Sequence, residues 1–159
     1  MAHTLEGFSD KIPENLRDDF SHLSGEVFWF RDKWLNYKYL FGHSPERVEF
    51  LNKCGGTFFY MVDHLFIDDA ILTFSRLTDP PATVRKEENF CLEQLILKLD
   101  RSAHTELINL LIPILKSIRD KASNLRKHRH KRVAHSDYVT HFTAEESLPI
   151  VSRQIMMRL

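Results

Sequence analysis

The chain is poor in residues that interrupt helices: its 159 residues include five glycines and six prolines. Long intervals without turn signals favour helices, and no run of alternating apolar residues suggests a strand. Cysteine is equally scarce. Cys54 and Cys91 are the only two, far apart, which excludes a disulfide scaffold and reads as two reduced thiols in a cytoplasmic protein. Net charge is absent, with 22 Lys and Arg against 22 Asp and Glu, so any electrostatic function must come from how charge is distributed. The opening "MAHTLEGFSD" lacks the basic start and apolar centre of a signal peptide. No membrane association is expected either. The most apolar run, "FFYMVDHLFIDDAILTF", is interrupted by Asp63, His64, Asp68 and Asp69, and it reads as a buried helix rather than a span. Repeats and low-complexity segments are lacking too.

What is present is a globular composition, 43% hydrophobic and 28% charged, sized for one domain over residues 1–159. The expected fold is all-α, an antiparallel helical bundle of about five helices. Residues 1–12 are expected to be flexible. Pro13 opens a first helix running to about Phe41, with Leu23, Val27, Phe30, Trp34 and Leu35 at helical spacing. Ser44 and Pro45 start a second helix, which continues to about Thr78. Gly55 and Gly56 lie inside it and either permit close packing or mark a kink. "DPPATVRKEEN" is a loop. A short helix over 90–99 follows. A longer one, capped by Ser102, runs through the basic stretch, with Pro113 expected to bend it. Thr143 and Glu146 form a capping box for a last helix over 144–159 that stops short while still amphipathic.

The segment from Lys116 to Arg132 concentrates Lys116, Arg119, Lys121, Arg126, Lys127, Arg129, Lys131 and Arg132 against Asp120 alone. A solvated helix end would look like this, because cations suit the negative end of a helix dipole. So would a surface for polyanions. Histidines add to the second case. His128, His130 and His135 crowd the same segment, where neighbouring cations disfavour the imidazolium form. A neutral imidazole can take a proton from a ribose hydroxyl while arginines hold the phosphate. Arg129 and His135 are six positions apart, about 120° around a regular helix. They converge only if the helix ends or loosens near Ala134, or if the arginine's length closes the gap. Arg132 and His135 share a face and are an equally good pair from spacing alone.

Those residues resemble a known family. "RHKRVAHSD", with Arg129, His130 and His135, is similar to the motif of the HEPN superfamily: an arginine, a polar residue, a spacer and a histidine. The motif is short, and "RDDFSH" at Arg17–His22 satisfies it by chance in an acidic setting. A second segment narrows the match. "IDDAILTFSRLTDPP" followed by "NFCLEQLI" resembles the abortive-infection AbiU-type branch, in which a helix ends in an Arg-Leu-Thr-Asp turn. The resemblance implies a helical bundle, often a homodimer with the motif at the subunit interface. It also implies metal-independent cleavage of RNA, without cofactor, in phage defence or toxin–antitoxin systems, with an antitoxin or second defence protein as a possible partner. It places Arg129 on the scissile phosphate, His135 in acid–base work and His130 as an orienting group. Arg126, Lys127, Lys131, Arg132 and Asp137 would bind RNA or support the site. In HEPN toxins modified on tyrosine, that residue stands two positions after the histidine. Asp137 holds the place here and Tyr138 follows, so tyrosine modification is not expected.

Other residues have competing readings. Asp69 and Arg76 are seven apart and share a face. With Asp68 and Asp79 they either order the catalytic arginine from behind or form a structural network. His128, His130, His135, Asp137 and His141 lack the i, i+4 histidine pair of a helical zinc site, so no metal is expected. Phe28, Trp29, Phe30, Trp34, Tyr37, Tyr39 and Phe41 are expected to pack in a core or subunit contact rather than stack bases. His22, His43, His64 and His104 are read as surface or satisfied core residues. The rival to a ribonuclease is a non-catalytic helical module that binds RNA or protein.

Overall fold

The computed structural model describes residues 11–130. Within them the chain is all-α, with four helices: α1 (Arg17–Phe41), α2 (Pro45–Leu77), α3 (Leu92–Leu97) and α4 (Thr105–His128). The fifth helix expected, over 144–159, lies outside the described residues. The chain forms two compact units, residues 11–29 with 76–122 and residues 30–75 with 123–130.

In the first unit, Pro13 precedes a single 3-10 turn, Glu14–Leu16, that leads into α1. Leu16, Leu99 and Ile108 form the core, with Ile12, Leu95, Ile96 and Leu111 packed against them. Lys98 of α3's C-terminal cap pairs with Asp19. The double-proline segment is held by side chains of its neighbours as well as by backbone bonds. Asn89 Nδ2 donates to the Pro80 carbonyl at 2.7 Å, and Gln94 Nε2 donates to that of Pro81 at 2.9 Å. The Pro81 carbonyl also accepts from the Asn89 amide at 2.9 Å, beside an isolated antiparallel bridge between Ala82 and Glu88. Asp100 accepts from the Ser102 amide at 2.8 Å and its hydroxyl at 2.7 Å. These bonds hold the Asp100 carboxyl below its usual range, the Ser102 hydroxyl having the largest effect. Ser102 therefore serves the turn before α4, which begins three residues later.

In the second unit, α1 and α2 run antiparallel. Phe30 meets Phe74 edge-on at 5.3 Å, Lys33 pairs with Asp69, and Tyr37 lies 5.8 Å from Phe66. Residue numbers rise along one helix as they fall along the other. Tyr37 and Phe41 pack with Leu51, and Trp34, Phe59, Val62 and Ile67 enclose them. At the corner, Ser44 Oγ accepts from the Arg47 amide at 3.2 Å, the expected capping bond. The Ser44 hydroxyl also lowers the carboxyl of Glu46. Gly55, with φ −179° and ψ 65°, interrupts α2. An added Cβ would meet only ordinary contacts there, and nothing within 4 Å at Gly56. The glycines therefore mark a kink and are not a close-packing device.

The aromatic run of α1 divides by face. Tyr37 and Phe41 are buried, while Trp29 and Tyr39 are more than half exposed. The Arg47 guanidinium lies 4.8 Å over the Tyr39 ring. Cys91 is buried, Cys54 is exposed, and both are free thiols. No helix among the described residues is long and apolar enough to cross a membrane.

Candidate functional site

The basic motif starts on the last turn of α4, and burial orients that turn. Ala122, Leu125 and His128, three apart, are all buried. Leu125 belongs to a cluster with Ala70 and Ile71 of α2, packed against Phe30, Trp34, Ile67 and Phe74. Burying one leucine side chain stabilises by about 1.5–3 kcal/mol, enough to set the rotation of the helix end. With Leu125 and His128 turned inward, helical spacing puts Arg126, Arg129 and His130 together on a flank. Arg126 and Arg129 are half-buried, and Lys127 and His130 are exposed.

Beyond His128 the helix widens into a π turn at Arg129–His130. Such turns change the phase of every later side chain and are frequent at functional sites. Arg129 Nη2 donates to His130 Nε2 at 3.2 Å. A guanidinium can only donate, so Nε2 of His130 is the acceptor in this contact. The arrangement couples a fixed positive charge to a ring that can accept. Lys131, Arg132, His135, Asp137 and His141 lie outside the described residues, and with them the choice between Arg129 and Arg132 as the partner of His135.

The second-helix residues have specific partners. Asp69 is bonded to Lys33 of α1, and Arg76 Nη2 donates to Glu26 Oε2 at 2.9 Å. Each therefore ties α2 to α1. Asp79 contributes its backbone: its carbonyl accepts from Arg119 Nη2 at 2.9 Å. Arg119 also donates through Nε to the Thr78 carbonyl at 3.0 Å and through Nη2 to Glu93 Oε2 at 2.7 Å. One side chain thus binds the Arg-Leu-Thr-Asp turn to α3. Arg119 is thereby committed to holding the fold together.

Spacing alone missed three groups: Arg119, Leu125 and the buried Tyr37–Asp63 pair, in which the phenol donates at 3.0 Å. Leu125 had a readable signal, the i, i+3 series Ala122–Leu125–His128. Arg119 and Tyr37 had none, because their partners lie 41 and 26 positions away.

Neither the curated proteins nor the solved structures compared with this sequence gave a match. The family model described as AbiU2, a HEPN model, matches residues 13–155, which takes in the Arg-Leu-Thr-Asp turn, the α3 segment and the whole Arg-to-His motif. The chain belongs to the AbiU2 family of HEPN proteins.

Proposed function

We propose that the chain is a metal-independent endoribonuclease acting in abortive-infection defence or as a toxin. The observation that carries this reading is the Arg129–His130 contact in a widened turn at the start of the family's motif. In the reaction, a ribose 2′-hydroxyl loses its proton to an imidazole and attacks the adjacent phosphorus. The new O2′–P bond forms as the P–O5′ bond breaks, leaving a 2′,3′-cyclic phosphate. The departing 5′-oxygen takes a proton from a second acid. Arg129 balances the charge that gathers on the phosphoryl oxygens. His135 is the acid–base group, and His130 orients the guanidinium. Arg126, Lys127, Lys131 and Arg132 attract the backbone, with Asp137 in support. One imidazole cannot be base and acid at the same moment. A homodimer that brings two copies of His135 to one phosphodiester supplies both.

The test is cleavage of single-stranded RNA by purified protein in EDTA. Wild type is expected to give 2′,3′-cyclic ends. His135→Ala should give none and Arg129→Ala only a trace, with unchanged circular dichroism. Cutting that EDTA abolishes while both variants retain it would overturn the proposal. RNA binding without products would replace it with the non-catalytic module.

A further inference from the structure

We infer that a groove between α3 and α4 is a second RNA-binding surface, one that holds the phosphate backbone of a single strand apart from the Arg-to-His motif. The groove lies wholly within the first unit and has a volume of about 510 Å³. Three cations, Arg101, Lys116 and Arg119, line it against one carboxylate, Glu93. That carboxylate is neutralised by its own bond to Arg119 at 2.7 Å. Arg101 and Lys116 are exposed, and among the described residues neither has a carboxylate within ion-pair distance. The groove therefore presents two uncompensated positive charges in a chain that is neutral overall.

Their placement suits a polymer of phosphates. Lys116 stands eleven residues beyond Thr105, the first residue of α4, and Arg101 precedes that end. At 1.5 Å per residue the two cations bracket a stripe roughly 16 Å long. Between them Leu97 and Ile112, each half exposed, offer apolar surface beside the polar side chains of Thr105 and Asn109. Charged ends with a mixed apolar and hydrogen-bonding middle match a strand that offers phosphates along its edge and base or sugar groups between them. A small anion would use one end only. The inference rests on the ribonuclease reading for the ligand's identity and for nothing else.

The experiment is anisotropy of a fluorescent single-stranded oligoribonucleotide, titrated with the full chain at several salt concentrations. Arg101→Glu/Lys116→Glu should raise Kd by about ten-fold or more near 0.1 M salt. Arg101→Gln/Lys116→Gln, which adds no repulsion, should flatten the log Kd against log salt slope by about 1.4, the loss of two phosphate contacts on a single strand. Lys38→Glu, an exposed charge on α1 in the other unit, serves as the control and should bind like wild type. Binding by both double variants within two-fold of wild type, or a loss no larger than that of Lys38→Glu, overturns the inference. So does competition by polyglutamate as effective as by unlabelled RNA, which would assign the groove to acidic protein. If wild type cuts RNA and the double variants bind and cut equally well, only the groove proposal falls. If wild type neither binds nor cuts RNA, both fall.

Discussion

Arg119 reaches back 41 positions to Thr78, its Nε donating to that residue's carbonyl at 3.0 Å. The same guanidinium takes the Asp79 carbonyl and the Glu93 carboxylate. Carbonyls in the turn that follows a helix have no helical donors, and here a planar fork serves two of them, Thr78 and Asp79, just past α2. Replacing Arg119 with Met is expected to cost roughly 2–4 kcal/mol, since bonds to a charged group are lost and Glu93 loses its counterion. Arg119→Lys keeps the charge but not the fork, so it should recover only part of the loss. Urea unfolding of the three proteins checks this. Equal stability of the Lys variant and wild type would show that charge alone matters.

Leu125 anchors the end of α4 against Ala70 and Ile71. Leu125→Ala should destabilise by about 2–5 kcal/mol. It should also speed amide exchange at Arg126–His130 more than in the middle of α2, because the motif would lose its rotational anchor. Lys127→Ala, at an exposed neighbour, should stay within about 0.5 kcal/mol of wild type. Hydrogen exchange followed by mass spectrometry reads both effects.

Tyr37 is fully buried, and its hydroxyl donates to Asp63, which is 6% exposed. Tyr37→Phe keeps the ring packing and removes the donor, so a loss of about 1–3 kcal/mol is expected. A double-mutant cycle with Asp63→Asn should give a coupling of at least about 0.5 kcal/mol. Additive single losses would mean that the two side chains act independently.

Asp100 supplies an acid-sensitive contribution. Its carboxyl is held low mainly by the Ser102 hydroxyl. A depressed carboxylate stabilises the fold above its unfolded value, and the contribution disappears as pH falls through the folded value. Ser102→Ala should therefore be less stable than wild type at neutral pH. The difference should shrink toward zero below the ordinary aspartate range. Urea midpoints measured stepwise from neutral to acidic pH report this, and a difference independent of pH would point to turn geometry instead.

The sequence made local features legible and long-range ones obscure. Helix starts were readable where a side chain and a proline act within three residues, as at Ser44–Pro45. The kink at Gly55 was one of two readings of the Gly55–Gly56 pair, and the space around both residues selects it. The motif residues Arg126–His130 were found from composition and resemblance, since cation and histidine density is itself local. The partners of Asp69 and Arg76 were not foreseen. Helical periodicity shows that two residues share a face, yet says nothing of which helix will cover it. Lys33 and Glu26, on α1, claim them instead. Arg119 was counted with the basic segment for the same reason, its ligands being set by tertiary packing.

The interruption at Gly55 also uncouples two stretches of one element. An extended peptide unit does not transmit helical phase. A residue gained or lost between Pro45 and Lys53 would swing that first rod by about 100° and turn Leu51 away from Tyr37 and Phe41, while the rest of α2 stayed in step with α1. Lys33–Asp69 and Tyr37–Asp63 would keep their alignment. A change of length at the corner is thus felt at Leu51, while the seam that seats Leu125 stays unchanged.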